Sequence, residues 1–183
     1  MTTRTASLIY VSIAATILTA ALAVPAAAQT SCASFAPGCF KGTFQGQDAH
    51  DILAPAATSV MIGTTATGVG ALLGRFSLIR NVTGNLLDFS ATGTAQWIAA
   101  NHRDSIYATV VGQAELSDLP GGYLKVTETH TITGGTGRFT AAQGIFTVEL
   151  FHKLEPSASA GGVETHDIFG SFHGTIASHG AHR

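Results

Sequence analysis

The chain has 183 residues, a length that fits one domain built around one hydrophobic core. Only 11% of the residues are charged and the formal net charge is −2, so the sequence has no basic stripe and predicts no nucleic-acid partner. Glycine is abundant, with 21 residues, and the low charge together with the high glycine content favours a β-rich domain over a helical bundle.

Residues 1–28 have the layout of a secretory signal peptide. Arg4 precedes an uncharged apolar run over 8–24, and Ala26 and Ala28 are the small residues that a signal peptidase requires. An uncleaved membrane anchor is the alternative, because the run approaches the ~17–20 residues that can cross a bilayer. The Ala-x-Ala ending favours cleavage after Ala28. We therefore expect a secreted or periplasmic protein that has no membrane contact once the signal is removed.

Both cysteines lie close behind the expected cleavage site. The segment 29–39 contains Cys32 and Cys39, and the residues between them include Pro37 and Gly38. In an oxidising compartment, two thiols that close along a turn-forming loop are expected to form a disulfide, which would tie the mature N-terminus to the first strand. A metal site is the alternative, but companion ligands are missing nearby.

From residue 40 onward the sequence predicts an all-β domain. Short runs of β-branched and aromatic residues are separated by turn-like links such as Thr83-Gly84-Asn85 and Gly134 to Gly137, without a helical period. Short links make successive strands antiparallel, and eight of them can close into a barrel, although a two-sheet sandwich fits the same pattern. The barrel is expected over 40–177, followed by a polar, flexible tail over 178–183. The predicted strands cover 40–47, 57–65, 70–82, 87–99, 105–115, 123–133, 144–154 and 164–177.

The alternation of side chains in the strand 123–133 predicts two ionisable residues inside the domain. Lys125 and the threonines share one face, so Glu128 and His130 share the other face with Leu124, Val126 and Ile132. The same argument places His152 and the single tryptophan, Trp97, inside.

Buried Glu128 and His130 are candidates for a catalytic acid and base, because burial moves the pKa of a carboxyl group and of an imidazole toward neutrality. A hydrogen-bonded polar plug in the core is the alternative. If a ligand pocket exists, both residues are expected to line it together with Trp97 and His152.

No sequence motif indicates a metal or another cofactor. The eight histidines are scattered along the chain and form neither a His-x-His nor a His-Glu-x-x-His motif. The sequence also has no Gly-x-Ser-x-Gly nucleophile elbow. We therefore predict no bound metal and no cofactor.

The segment Gly134-Gly135-Thr136-Gly137-Arg138-Phe139 resembles the late hairpin of the allene oxide cyclase and dirigent barrels. Two less specific similarities are the Ala100-Asn101 turn and the closing strand from Gly170 to Ile176, and the resemblance covers about residues 40–177. It implies a calycin-like, eight-stranded antiparallel β-barrel, often assembled as a homotrimer, with an apolar pocket. In the plant members that pocket binds a reactive hydrophobic molecule and steers its cyclisation or coupling. The catalytic acids of those families have no match here.

The sequence departs from this family in the loop near mid-chain. The usual Asn-Gly-Asp turn is replaced by a rim loop that is one residue longer and contains Asn101, His102 and Arg103 before Asp104. The histidine and arginine of this loop are expected to contact a polar or acidic group.

Three functions remain compatible with these observations. The first is a cofactor-independent isomerase, cyclase or lyase that acts on a hydrophobic small molecule, and the second is a non-catalytic carrier of such a molecule. The third is an extracytoplasmic inhibitor or another protein-binding barrel. Inward-facing Glu128 and His130 favour the first two functions, whereas a completely filled barrel would favour the third.

Overall fold

The computed structural model describes residues 38–51, 57–160 and 162–177, most of which lie in nine strands. A short 3₁₀ helix, Gly137–Phe139, connects β6 to β7. No helix among these described residues has the length and apolarity needed to cross a membrane. The strands are β1 (Cys39–Asp51), β2 (Ser59–Gly70), β3 (Gly74–Asn85), β4 (Ser90–Ala99), β5 (Ser105–Leu116), β6 (Tyr123–Thr136), β7 (Gln143–Lys153), β8 (Ala158–Ala160) and β9 (Val163–Ala177).

Eight of these strands form a closed antiparallel barrel. Strands β1 to β7 pair in sequence order, and β7 pairs with β9. Strand β9 in turn pairs with β1 along the whole length of β1. The three-residue β8 forms a small hairpin with the start of β9 and lies outside the barrel. The predicted all-β barrel is therefore confirmed, and closure between β1 and β9 excludes the open sandwich.

Several details of the predicted strands are wrong. Strand β2 continues to Gly70, although the second predicted strand ended at residue 65 and the third began at residue 70, and β6 continues to Thr136 through the turn predicted at Gly134 to Gly137. Thr83-Gly84-Asn85 is not a turn, because β3 continues to Asn85, where Gly84 pairs with Val60 on one side and Ala91 on the other. Strand pairing on both sides outweighs the turn preference of glycine here. The short β8 was also not expected, since Ala158–Ala160 has neither alternation nor β-branched residues.

Aromatic side chains fill one half of the barrel interior, which we call the filled half. Trp97 lies at its centre with no exposed surface, and its ring centroid is 4.8–6.1 Å from those of five phenylalanines. Edge-to-face contacts of this kind stabilise aromatic clusters beyond the area they bury. The predicted burial of Trp97 is confirmed. The five phenylalanines are Phe40, Phe44, Phe76, Phe146 and Phe172.

The Gly-Gly-Thr-Gly-Arg-Phe segment closes the end of the filled half. Phe139 is buried against the core, as expected, and Gly137 has a positive φ of 58° with no room for a Cβ beside Asp104. Asp104 accepts hydrogen bonds from the backbone N–H of Arg138 at 3.1 Å, from its Nε at 2.6 Å and from Asn101 Nδ2 at 2.9 Å. Through Asp104, these hydrogen bonds hold the β6–β7 connection against the rim loop.

Candidate functional site

The other half of the barrel interior, which we call the open half, contains a cavity of about 450 Å³. This volume lies in the range of pockets that bind small organic ligands. Its buried polar lining residues are Asp48, Arg80, His152 and His166, and His50 and Glu164 are partly exposed. The apolar wall consists of Val60, Ile62, Leu86, Phe89, Ala91, Ala114, Leu124, Val126 and Leu154.

Arg80 organises the floor of this cavity. Its Nε and Nη2 donate to Glu128 Oε1 at 2.9 and 2.6 Å, and its Nη1 donates to Thr64 Oγ1 at 2.6 Å. The same Nη1 lies 3.5 Å from Asp48 Oδ1, and the hydroxyl group of Thr64 donates a hydrogen bond to Asp48 Oδ1. A single guanidinium, only 3% exposed, therefore joins two buried carboxylates on opposite sides of the barrel.

Both carboxylates are held in the ionised state by this arrangement. Burial alone would raise the pKa of Glu128, but the charge of Arg80 and the hydrogen bond from His130 hold that pKa below its ordinary value. Burial likewise opposes ionisation of Asp48, yet the hydrogen bond from His152 and the charge of Arg80 lower its pKa. The floor therefore carries two negative charges against one positive charge.

Glu128 and His130 face inward, as predicted, but they lie below the cavity and do not line it. Both are 0% exposed, and His130 Nε2 is 2.9 Å from Glu128 Oε2. Gly112, opposite Glu128, leaves the space that the glutamate side chain occupies, because a Cβ there would lie 2.8 Å from Glu128 Cγ. This geometry favours the polar-plug interpretation over the catalytic one.

Of the four residues predicted to line a ligand pocket, His152 alone borders this cavity. Trp97 does not, because it belongs to the filled half, where its ring packs against His130 at a centroid distance of 5.8 Å. Alternation correctly predicted the inward faces of β4, β6 and β7. It could not give the height of a residue along the barrel axis, which depends on the stagger between strands.

The structure brings together three histidines that are far apart in the sequence. His50 on β1, His152 on β7 and His166 on β9 have ring centroids 4.5–4.8 Å apart and could hold a metal ion together. Burial and the neighbouring His152 lower the pKa of His50 to about 4, so His50 is a neutral imidazole at neutral pH. Sequence motifs missed this cluster because each histidine comes from a different strand.

Sequence reasoning also missed Asp48, Thr64 and Arg80, although the alternation contained a signal for Arg80. In β3, Phe76, Leu78, Arg80 and Val82 are all buried, so an arginine stands in an otherwise apolar row. An arginine in such a row requires a buried carboxylate partner, and Glu128 was already expected inside. The two residues could have been paired on this ground.

The remaining predicted residues lie away from the cavity or outside the described part of the chain. Asn101, His102 and Arg103 are exposed at the end of the filled half, where Asn101 Oδ1 accepts from the backbone N–H groups of Arg103 and Asp104 at 2.9 and 3.1 Å. Cys39 is buried at the start of β1. Its expected partner, Cys32, the signal segment 1–28 and the tail 178–183 lie outside the described residues.

Comparison with protein-family models, with curated proteins and with solved structures finds no match to this chain. The resemblance to the allene oxide cyclase and dirigent barrels therefore remains a prediction from the sequence segment that carries it. The closed eight-stranded barrel is compatible with that family and does not identify it.

Proposed function

We propose that this protein binds a hydrophobic small molecule in the open half of its barrel. The observation that carries this proposal is the division of the interior: aromatic rings pack one half to closure, whereas a cavity of about 450 Å³ with an apolar wall occupies the other. A barrel built only as a scaffold for an interaction surface would fill both halves, because empty apolar space costs stability.

The charges of the lining residues indicate the kind of polar group that the ligand carries. Asp48, Asp51 and Glu164 are acidic and Arg80 is basic, so the cavity lining has a net charge of −2 when its histidines are neutral. An anionic head group would be repelled, whereas a hydroxyl or carbonyl group can pair with His152 or with the remaining N–H groups of Arg80. The proposed ligand is therefore an amphiphile whose head group is not anionic.

We also propose that this binding takes place outside the cytoplasm, since residues 1–28 have the pattern of a secretory signal. Binding alone suits a carrier. An isomerase, cyclase or lyase activity would require a proton-transfer group that borders the ligand. Glu128 and His130 do not border the cavity, so such an activity would have to use Asp48 or His152, which do. The homotrimer that the sequence resemblance implies is a further proposal, which the native mass of the purified protein tests.

The binding proposal is tested with N-phenyl-1-naphthylamine, a neutral dye whose fluorescence rises in apolar sites. Ala91, which lines the cavity, is replaced by Phe to fill it, and the control is Thr92→Phe on the outer face of the same strand. We expect the wild type and Thr92→Phe to bind one dye equally, and Ala91→Phe to bind it at least about tenfold more weakly. Equal binding by all three folded proteins would overturn the proposal.

The expected ligand chemistry is tested by displacement of the dye from metal-free protein. Decanol and decanoate present the same alkyl chain with a neutral or an anionic head, and decanol is expected to displace the dye more effectively. Native mass spectrometry of the purified mature protein, with extraction of any retained molecule, identifies the natural ligand. A barrel that binds neither dye nor alkyl chain would support the protein-binding alternative instead.

A further inference from the structure

We propose that His50, His152 and His166 form a binding site for one zinc ion in the open half of the barrel. Each histidine offers a ring nitrogen, and one nitrogen from each ring lies within 4.8 Å of the other two. Three imidazoles are a common protein ligand set for zinc, and such sites keep a fourth position for another group. This inference stands independently of the proposed small-molecule binding.

The distances require only small side-chain movements to close around an ion. Zinc–nitrogen bonds of about 2.0–2.1 Å in a tetrahedron separate the nitrogens by roughly 3.4 Å, against at most 4.8 Å here. The widest pair must therefore approach by about 1.4 Å, or roughly 0.7 Å for each ring. Side-chain rotation supplies this without any change in the register of β1, β7 and β9.

Hydrogen bonds already set two of the rings in the form that binds a metal. His166 Nδ1 lies 2.9 Å from the backbone oxygen of Lys153, and His152 Nδ1 lies 3.2 Å from Asp48 Oδ2. Both partners only accept, so in each ring Nδ1 carries the hydrogen and a neutral ring keeps its lone pair on Nε2. A carboxylate or a carbonyl behind the distal nitrogen is the usual support of a zinc-binding histidine.

A second observation points to a ligand at the third histidine. His50 Nε2 is one of three buried side-chain nitrogens without a hydrogen-bond partner among the described residues, and it is the one of these whose residue borders the cavity. Buried polar atoms are seldom left unpaired, and here the unpaired atom belongs to a ring that stacks on His152 at 4.8 Å.

The surroundings favour a cation with an open coordination position. The cavity lining has three carboxylates against one guanidinium, and Glu164 Oε2 lies 3.6 Å from His166 Nε2. Glu164 can therefore become the fourth ligand, or it can leave that position to a molecule in the cavity. A zinc ion bound here would neutralise the excess negative charge.

The test is isothermal titration of the folded mature protein with zinc chloride. His179 and His182 are replaced by Ala in every sample, so that the tail cannot contribute ligands. We expect one zinc ion per chain, and binding at least about 100-fold weaker in both His50→Phe and His166→Ala. The matched control, His173→Ala, changes a histidine of β9 outside the cluster and should bind zinc like the parent. Cobalt(II) added instead of zinc should give the visible absorption of a tetrahedral site.

Thermal melting separates loss of the site from loss of the fold. Zinc should raise the melting temperature of the parent and of His173→Ala, and should leave that of His50→Phe unchanged. Without metal, His50→Phe should melt within a few degrees of the parent, because phenylalanine keeps a stacked ring and removes a buried nitrogen that has no hydrogen-bond partner. A parent that does not bind zinc, or a folded His50→Phe/His166→Ala double variant that binds it as tightly as the parent, would overturn the proposal and leave a stacked histidine cluster.

Discussion

Replacing Arg80 by Met tests the charge network beneath the cavity. The change keeps an unbranched apolar side chain but removes the charge and three hydrogen bonds of 2.6–2.9 Å to Glu128 and Thr64. It leaves Glu128 and Asp48 as buried carboxylates without their cation. Breaking a buried ion pair in this way costs about 3–5 kcal/mol. For a domain of this size, that loss corresponds to a melting temperature lower by about 6–20 °C.

The assay is chemical denaturation at pH 7, with Arg75→Met as the control, since Arg75 is an exposed arginine on the same strand. The double variant Arg80→Met/Glu128→Gln should recover part of the lost free energy of unfolding, because it also removes one of the two buried carboxylates left without a cation. An Arg80→Met protein within about 1 kcal/mol of the wild type would refute the reasoning. It would mean that water or a rearranged side chain solvates the carboxylates.

Two further predictions follow from the charges and from the N-terminal segment. Because the folded state lowers the pKa of Glu128, this group contributes stability above the ordinary carboxyl pKa and loses it as the pH falls through the folded pKa. Acid unfolding monitored by circular dichroism should therefore be less steep in Glu128→Gln than in the wild type, and identical slopes would contradict the assigned pKa direction. The intact mass of the exported protein should correspond to a chain that begins at Gln29 and, without reductant, is two hydrogens lighter because of a Cys32–Cys39 disulfide. A retained N-terminal segment or two reactive thiols would contradict the secretion model.

The barrel could be predicted because its determinants are local. Alternation of side chains in β6 showed that the strand face with Glu128 and His130 is buried. Short turns between strands required antiparallel neighbours. Closure was an inference from the number of strands, and it is confirmed by the β1–β9 pairing.

The contents of the cavity could not be predicted in the same way. Whether Trp97 or His152 reaches the cavity depends on the relative stagger of nonadjacent strands, which no local pattern encodes. The meeting of His50, His152 and His166 depends on the pairing registers of β7 with β9 and of β9 with β1, which join strands that are distant in the sequence. A search for motifs within one segment therefore cannot find this histidine cluster. The expectation of no bound metal came from such a search.

The most direct test of the account is a crystal structure of the metal-free protein soaked with N-phenyl-1-naphthylamine. We expect the dye in the open half, between Val60 and Leu124 and above Arg80, while Trp97 and the surrounding phenylalanines stay in place. Dye bound on the outer surface only, with the open half closed by its own side chains, would contradict the claim that this barrel keeps half of its interior for a ligand.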